Sequence, residues 1–150
     1  MLPFHVALKS GASPYKQVVY AATRAVVSGE LAAGSPFPSV RELSQALKIN
    51  PNTAHKVVAA LVRDGILEVL PGIGTVVSAK RPASPKERRA LLSHEVEQLV
   101  VEAKRLGLSE DDVLAAVTAR WAELFGEMQR AEQRARENSA NTTSTRTARN

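Results

Sequence analysis

Between Asn50 and Arg63 the chain reads NPNTAHKVVAALVR, and its polar side chains include an amide (Asn52), a hydroxyl (Thr53), an imidazole (His55) and an ammonium (Lys56). No Asp or Glu occurs from Leu43 through Arg63, so no carboxylate is at hand to share proton-transfer work with the histidine. What these groups can do together is donate hydrogen bonds and present positive charge, which is what a polyanion accepts. Lys48 lies in the same acid-free run, and Arg41 borders it.

Helical geometry brings the set to one side. At about 100° per residue, Asn52, His55, Lys56, Ala59 and Arg63 fall within an arc of roughly 100°, opposite Ala54, Val57, Val58 and Leu61. The second group has the i, i+3, i+4, i+7 spacing of a face turned to a core. Small Ala59 in the middle of the polar face lets another surface come close. Asn50 is a strong N-cap and Pro51 suits the first helical position, where its missing N–H is not needed, so the helix is predicted to start there and to stop at Gly65.

Other elements must hold this helix. Pro14 to Ser28 repeats apolar residues at Val18, Ala22, Ala25 and Val26, which predicts a first helix ended by Gly29. The Gly- and Pro-containing link GELAAGSPFP cannot continue it. Ser39-Val40-Arg41-Glu42 is a capping box and opens a short second helix with Val40, Leu43 and Leu47 on one face. After Gly65, ILEVL and TVVS, joined by Pro71-Gly72-Ile73-Gly74, read as a two-stranded hairpin. Helix, helix, hairpin is the order of a winged helix-turn-helix.

From Arg81 the pattern changes. Ser84-Pro85-Lys86-Glu87 is a second capping box, followed by Leu92, Val96, Leu99, Ala103 and Leu106, with Gly107 as a stop. Ser109 and Asp112 open another helix, with Leu114, Val117, Trp121, Leu124 and Met128 in a row. Both rows keep a period of about 3.5, that of a helix-helix seam, and the short connection predicts an antiparallel hairpin. Val113, Phe125, Leu91 and Val100 lie outside the rows and call for a further partner, most simply a second copy of the chain. The expectation is a mostly α chain with a small β wing: residues 1–80 as a winged helix-turn-helix domain, 81–137 as a two-helix dimerisation hairpin, and 138–150 as a disordered tail with little apolar content. The dimer seam is assigned to Leu92, Val96, Leu99, Leu106, Leu114, Val117, Trp121 and Leu124.

Composition narrows the function classes. The net charge of +5 is concentrated in residues 1–80, where 8 Lys and Arg face 4 Asp and Glu, against 12 and 11 in the remainder. With no cysteine and three scattered histidines, neither a metal site nor another cofactor is expected. No run approaches the ~18–20 apolar residues of a membrane span, and the N-terminus lacks a basic start before an apolar stretch, so a soluble, cytoplasmic protein with no membrane association is expected. No nucleophile stands by a base, and PGIG is followed by neither a helix nor a lysine, so an enzyme is not expected.

PSVREL, NPNTAHKVVAALVRDGIL and PGIGTVV, preceded by PYKQV and SGELAAGSPF, together resemble the DNA-binding domain of the GntR family of bacterial transcription regulators over residues 4–78. The NPNT entry and the two-helix C-terminal region are similar to the YtrA subfamily. The resemblance implies a homodimeric regulator, read here as a repressor, on double-stranded DNA with an operator of approximate two-fold symmetry. It implies a DNA contact for Arg41, major-groove reading by Asn52, Thr53, His55 and Lys56, a minor-groove approach by Gly72 with Gly74 completing the turn, and a phosphate contact for Ser39. Many members outside the subfamily carry arginine where Pro51 and His55 stand, so their base preferences do not transfer.

Asparagine can pair bidentately with adenine and arginine with guanine, which makes Asn52 and Arg41 the candidate base readers. Lys48, Lys56 and Arg63 fit phosphate contacts, which position without specifying. A protein-interaction module is the competing reading, but its recognition helix would present apolar or acidic residues, unlike this one. Two C-terminal helices are too few to enclose a pocket of ~300 Å³ or more. An unidentified small-molecule effector would have to sit between the helices of a dimer, near Trp121 and Phe125.

Overall fold

The computed structural model describes residues 1–79 and 83–147, with side chains through 137. The chain divides into two compact units, Met1–Pro82 and Ala83–Asn150.

In the first unit α1 (Pro14–Val27), α2 (Val40–Leu47) and α3 (Pro51–Arg63) precede β1 (Leu67–Leu70) and β2 (Gly74–Val77). Helix α3 is the hub, packing on α1, α2 and β1. Its inner residues Ala54, Val57 and Leu61 meet Val18 and Ala22 of α1, Leu43 of α2, and Leu67 and Val77 of the strands in one buried cluster. Val58 packs against that cluster from its edge. This periodic apolar face fixes the roll of α3 about its own axis, so its polar residues face outward.

The strands pair antiparallel in the register Leu67↔Val77, Glu68↔Val76, Val69↔Thr75 and Leu70↔Gly74. The link after α1 does more than connect. Residues 34–37 lie along the far edge of β2 through Gly34 N–H to Val77 O (2.8 Å), Val77 N–H to Ser35 O (2.9 Å) and Phe37 N–H to Thr75 O (2.8 Å). Pro36, which donates nothing, bridges to Val76 at this outer edge, where a ladder tolerates proline. Phe37 then stacks on Phe4, with ring centroids 5.6 Å apart, and ties the N-terminal arm to the core. Further along, the Gln17 amide clamps the arm: its Nε2 donates to Lys9 O and Ala12 O (both 3.1 Å), and its Oε1 accepts from Lys9 N–H (2.7 Å).

The turn from α2 to α3 is three residues long, Lys48 to Asn50. Lys48 sits in the left-handed region (φ 53°, ψ 42°), the one residue other than glycine with positive φ among those described. Its N–H and that of Ile49 both close on Ser44 O, and the Ser44 hydroxyl donates to Ile49 O at 2.8 Å. A side chain with a Cβ is strained in this conformation and glycine is not. Lys48→Gly should therefore raise the urea midpoint by an amount equivalent to about 0.5–1 kcal/mol. An unchanged or lowered midpoint would mean that the lysine stem contributes packing that offsets the strain.

The second unit holds α4 (Pro85–Ala90), a π-helical turn (Leu91–Glu95), α5 (Val96–Arg105) and α6 (Glu110–Thr147). The capping box at Ser84 forms as the sequence predicts, with Ser84 N–H donating to Glu87 Oε2 at 2.7 Å. The wide turn at Leu91–Glu95 is not read from the sequence; there the Ser93 hydroxyl donates back to Arg89 O at 2.6 Å, competing for a carbonyl of the helical ladder. Ser109 and Asp112 cap α6 as expected, the Ser109 N–H reaching Asp112 Oδ2 at 2.8 Å.

The predicted packing of the two apolar rows on each other is not found. Leu92, Val96, Leu99, Leu106, Leu114, Val117 and Trp121 are each between 42% and 70% exposed, and Leu124 is half-buried. Ala103 is the one buried hydrophobic residue among those described in this unit. The reason is geometric: a 3.5-residue period marks a seam but says nothing of which helix supplies the other side. Trp121 is accordingly not a core residue of the single chain, although it meets Phe125 edge to face at 5.4 Å. The backbone of α6 continues past the expected boundary at 137 to Thr147. The side chains from Asn138 onward and all of 148–150, on which the expected tail falls, lie outside the described residues, as do Lys80, Arg81 and Pro82 at the expected domain boundary.

Candidate nucleic-acid interface

At the start of α3, Asn50 takes the capping duty: its Oδ1 accepts the Asn52 N–H at 2.8 Å. The Asn52 amide is thus relieved of any backbone role, and among the described residues it has no hydrogen-bond partner. Asn52, His55, Lys56 and Ala59 are exposed, Thr53 is half-buried at the margin, and the face behind them is buried at Ala54, Val57, Ala60 and Leu61. Donor groups and a cation thus stand beside a helix N-terminus, whose partial positive charge adds to theirs.

At the start of α2, Ser39 Oγ accepts the Glu42 N–H (3.2 Å) while Ser39 N–H donates to Glu42 Oε2 (2.7 Å). The serine oxygen is used as an acceptor, so its own O–H remains a donor for an incoming anion. Arg41, in the first turn of α2, is exposed. The Ser39 backbone N–H, with its hydroxyl second, holds the Glu42 carboxyl below the ordinary carboxylate range. A depressed folded-state value means that this stabilisation is present above the unfolded pKa and is lost as pH falls through the folded one. Ser39→Ala should lower stability by about 1 kcal/mol with little dependence on pH, because the backbone N–H at position 39 still holds Glu42, whereas Glu42→Gln should be destabilised relative to wild type at neutral pH and less so on acidification. Urea denaturation at neutral and acidic pH checks both parts.

Three cations near these helix starts, Arg41, Lys48 and Lys56, have no carboxylate partner among the described residues, whereas Arg63, Arg105 and Arg120 each pair with a neighbouring acid. Arg63, expected as a phosphate contact, is exposed and has a neighbouring acid as partner. Hydrogen bonding to Tyr15, and then to Asp64 at 3.3 Å, pushes its guanidinium above the ordinary value and engages it in the last turn of α3, far from Asn52.

The wing turn is Pro71-Gly72-Ile73, closed by Ile73 N–H to Leu70 O at 3.1 Å. Gly72 and Gly74 have φ of 74° and 114°, and a Cβ on either would meet nothing within 4 Å. The requirement at Gly74 is thus conformational: few residues other than glycine adopt that φ. The predicted site residues are thus placed at the outer starts of α2 and α3, in the turn between them, and at the wing tip. No group of acidic or histidine side chains able to hold a metal ion occurs among the described residues.

Residues 14–77 match the family described as bacterial regulatory proteins, gntR family. The HTH-type transcriptional repressor YtrA of Bacillus subtilis is 31% identical over 101 residues, covering 67% of this chain and 78% of YtrA. The chain belongs to the gntR family. A further relative in this family's likeness, the HTH-type transcriptional regulator YhcF of Bacillus subtilis, is 33% identical over 92 residues, covering 61% of this chain and 76% of that one. A transcriptional antiterminator from Listeria monocytogenes shares the fold, with a TM-score of 0.72 at 24% identity over 81% of this chain and 91% of its own. As a gntR-family protein, the chain is a DNA-binding transcription regulator with a winged helix-turn-helix, and its family and named relatives are regulators, not enzymes. No described helix is long and apolar enough to cross a membrane.

Proposed function

We propose that the protein is a cytoplasmic repressor that binds, as a homodimer, an operator of approximate two-fold symmetry. The observation that carries this reading is the acid-free outer face of α3, where Asn52, His55 and Lys56 are exposed and the first of them has no structural duty. On this reading Asn52 and Arg41 read base edges, His55 and Thr53 adjust the fit in the major groove, and Ser39, Lys48 and Lys56 hold phosphates. Gly72 brings the wing backbone to the minor groove and Gly74 shapes its turn. The name of the similar YtrA, a transcriptional repressor, supports the sign of regulation.

The homodimer rests on the exposed rows of α5 and α6. Leu92, Val96, Leu99, Leu106, Leu114, Val117, Trp121 and Leu124 form a surface that a second copy would cover, with 81–137 as the dimerisation region and 138–150 outside it. A two-fold dimer presents two α3 helices, which matches half-sites about 34 Å, or one DNA turn, apart. Selection of bound duplexes from a randomised pool tests the whole reading. A palindromic consensus, bound with a steep salt dependence, is the expected result; enrichment of no sequence, or of a single non-repeated half-site, would overturn it.

A further inference from the structure

The wing tip is apolar. Ile73 stands between Gly72 and Gly74 at 75% exposure, and Val69 on β1 is 62% exposed. From Val69 through Ala79 the chain carries no ionisable side chain at all. The tip therefore has no cation with which to hold phosphates, although a wing that tracks a DNA backbone would gain from one. What it offers is a branched aliphatic group, projected by a turn whose ends are tied by Ile73 N–H to Leu70 O and by the Leu70↔Gly74 pairing. Residues 34–37, bonded along the other edge of β2, brace the strand that carries the turn.

Resting on the operator reading above, we infer that Ile73 is a specificity-determining residue that seats its side chain in the minor groove beside each half-site and selects A·T pairs there. The minor groove of an A·T pair has no exocyclic amino group, whereas a G·C pair projects the guanine N2 amino into it. An isoleucine packed over that amino covers a donor and supplies no acceptor, so the G·C pair loses a water partner and gains nothing. The flanking glycines carry no side chain that could compete for the narrow groove, about 6 Å across. Discrimination comes from exclusion: the side chain rejects G·C and forms no bond to A·T.

The experiment uses the full chain and its Ile73→Ala variant, each selecting duplexes from the same randomised pool at the same salt. Wild type is expected to enrich A·T pairs just outside the positions read by α3, and Ile73→Ala to keep the inner consensus and lose the outer preference. The retained consensus also shows that the variant is folded. Replacing the flanking A·T with G·C in the selected duplex should weaken wild type about tenfold. Inosine·C at the same place, which lacks only the minor-groove amino, should restore binding. Equal enrichment by both proteins, or inosine·C no better than G·C, would overturn the assignment and leave the operator reading standing. If wild type enriches no sequence at all, both fall together.

Discussion

Leu99→Asp should turn the protein into a monomer at ~10 µM and weaken operator binding by a factor of about 10² to 10⁴, the range set by losing one of two linked contacts. Leu99 lies on α5 in the middle of an apolar row and is 48% exposed in the single chain, so a carboxylate there is well solvated until a second copy arrives. Covering it strips that water at a cost of several kcal/mol per ion. Because a two-fold interface uses the same patch on both copies, the penalty enters twice. The winged unit has its own buried cluster and should keep its thermal unfolding, which separates loss of assembly from loss of folding. Sedimentation that still gives a dimer, or a monomer that binds the operator as tightly as wild type, would remove Leu99 from the interface.

The second large effect concerns the reading of bases. Asn52→Ala and Arg41→Ala should each cost about 1–3 kcal/mol on the selected operator, a loss of roughly 5- to 150-fold, and should relax the consensus at one position in each half-site. Lys56→Ala should behave differently, weakening binding to all duplexes alike and flattening the salt slope by about one unit. The contrast follows from chemistry: an amide or a guanidinium can match two groups on a base edge, while an ammonium is a point charge. Titrations of operator and scrambled duplex over a salt series separate the two patterns. An Asn52→Ala protein that loses equal affinity for both duplexes would place Asn52 on the backbone and not on a base.

The DNA-binding unit was largely legible in advance because its boundaries are written locally. Asn50-Pro51 starts α3, Ser39 and Glu42 start α2, and each depends on residues within one turn. The exposed set on α3 followed from a periodicity that the core then enforced. What escaped was non-local or turned on a single atom. The pairing of residues 34–37 with β2 consists of backbone bonds across some forty positions of sequence, and side-chain patterns carry no trace of them. The left-handed Lys48 stands where glycine would have signalled the turn. Arg63 belongs to the polar arc by angle, yet Asp64 next to it and Tyr15 on α1 engage it. In the second unit, Ser93 widens a turn inside a continuous helical pattern. There the apolar rows announced contact without saying with whom.

Helix α3 also divides its residues cleanly between two tasks. Ala54, Val57 and Leu61 face inward at 0% exposure, whereas Asn52, His55 and Lys56 are exposed. Exposed substitutions away from caps and turns usually shift stability by no more than ~0.5 kcal/mol. Descendants of a duplicated gene could therefore change these three letters one at a time, each intermediate still folding, and drift toward different operators. The same separation makes positions 52, 55 and 56 a place to build libraries of altered DNA preference on an unchanged scaffold.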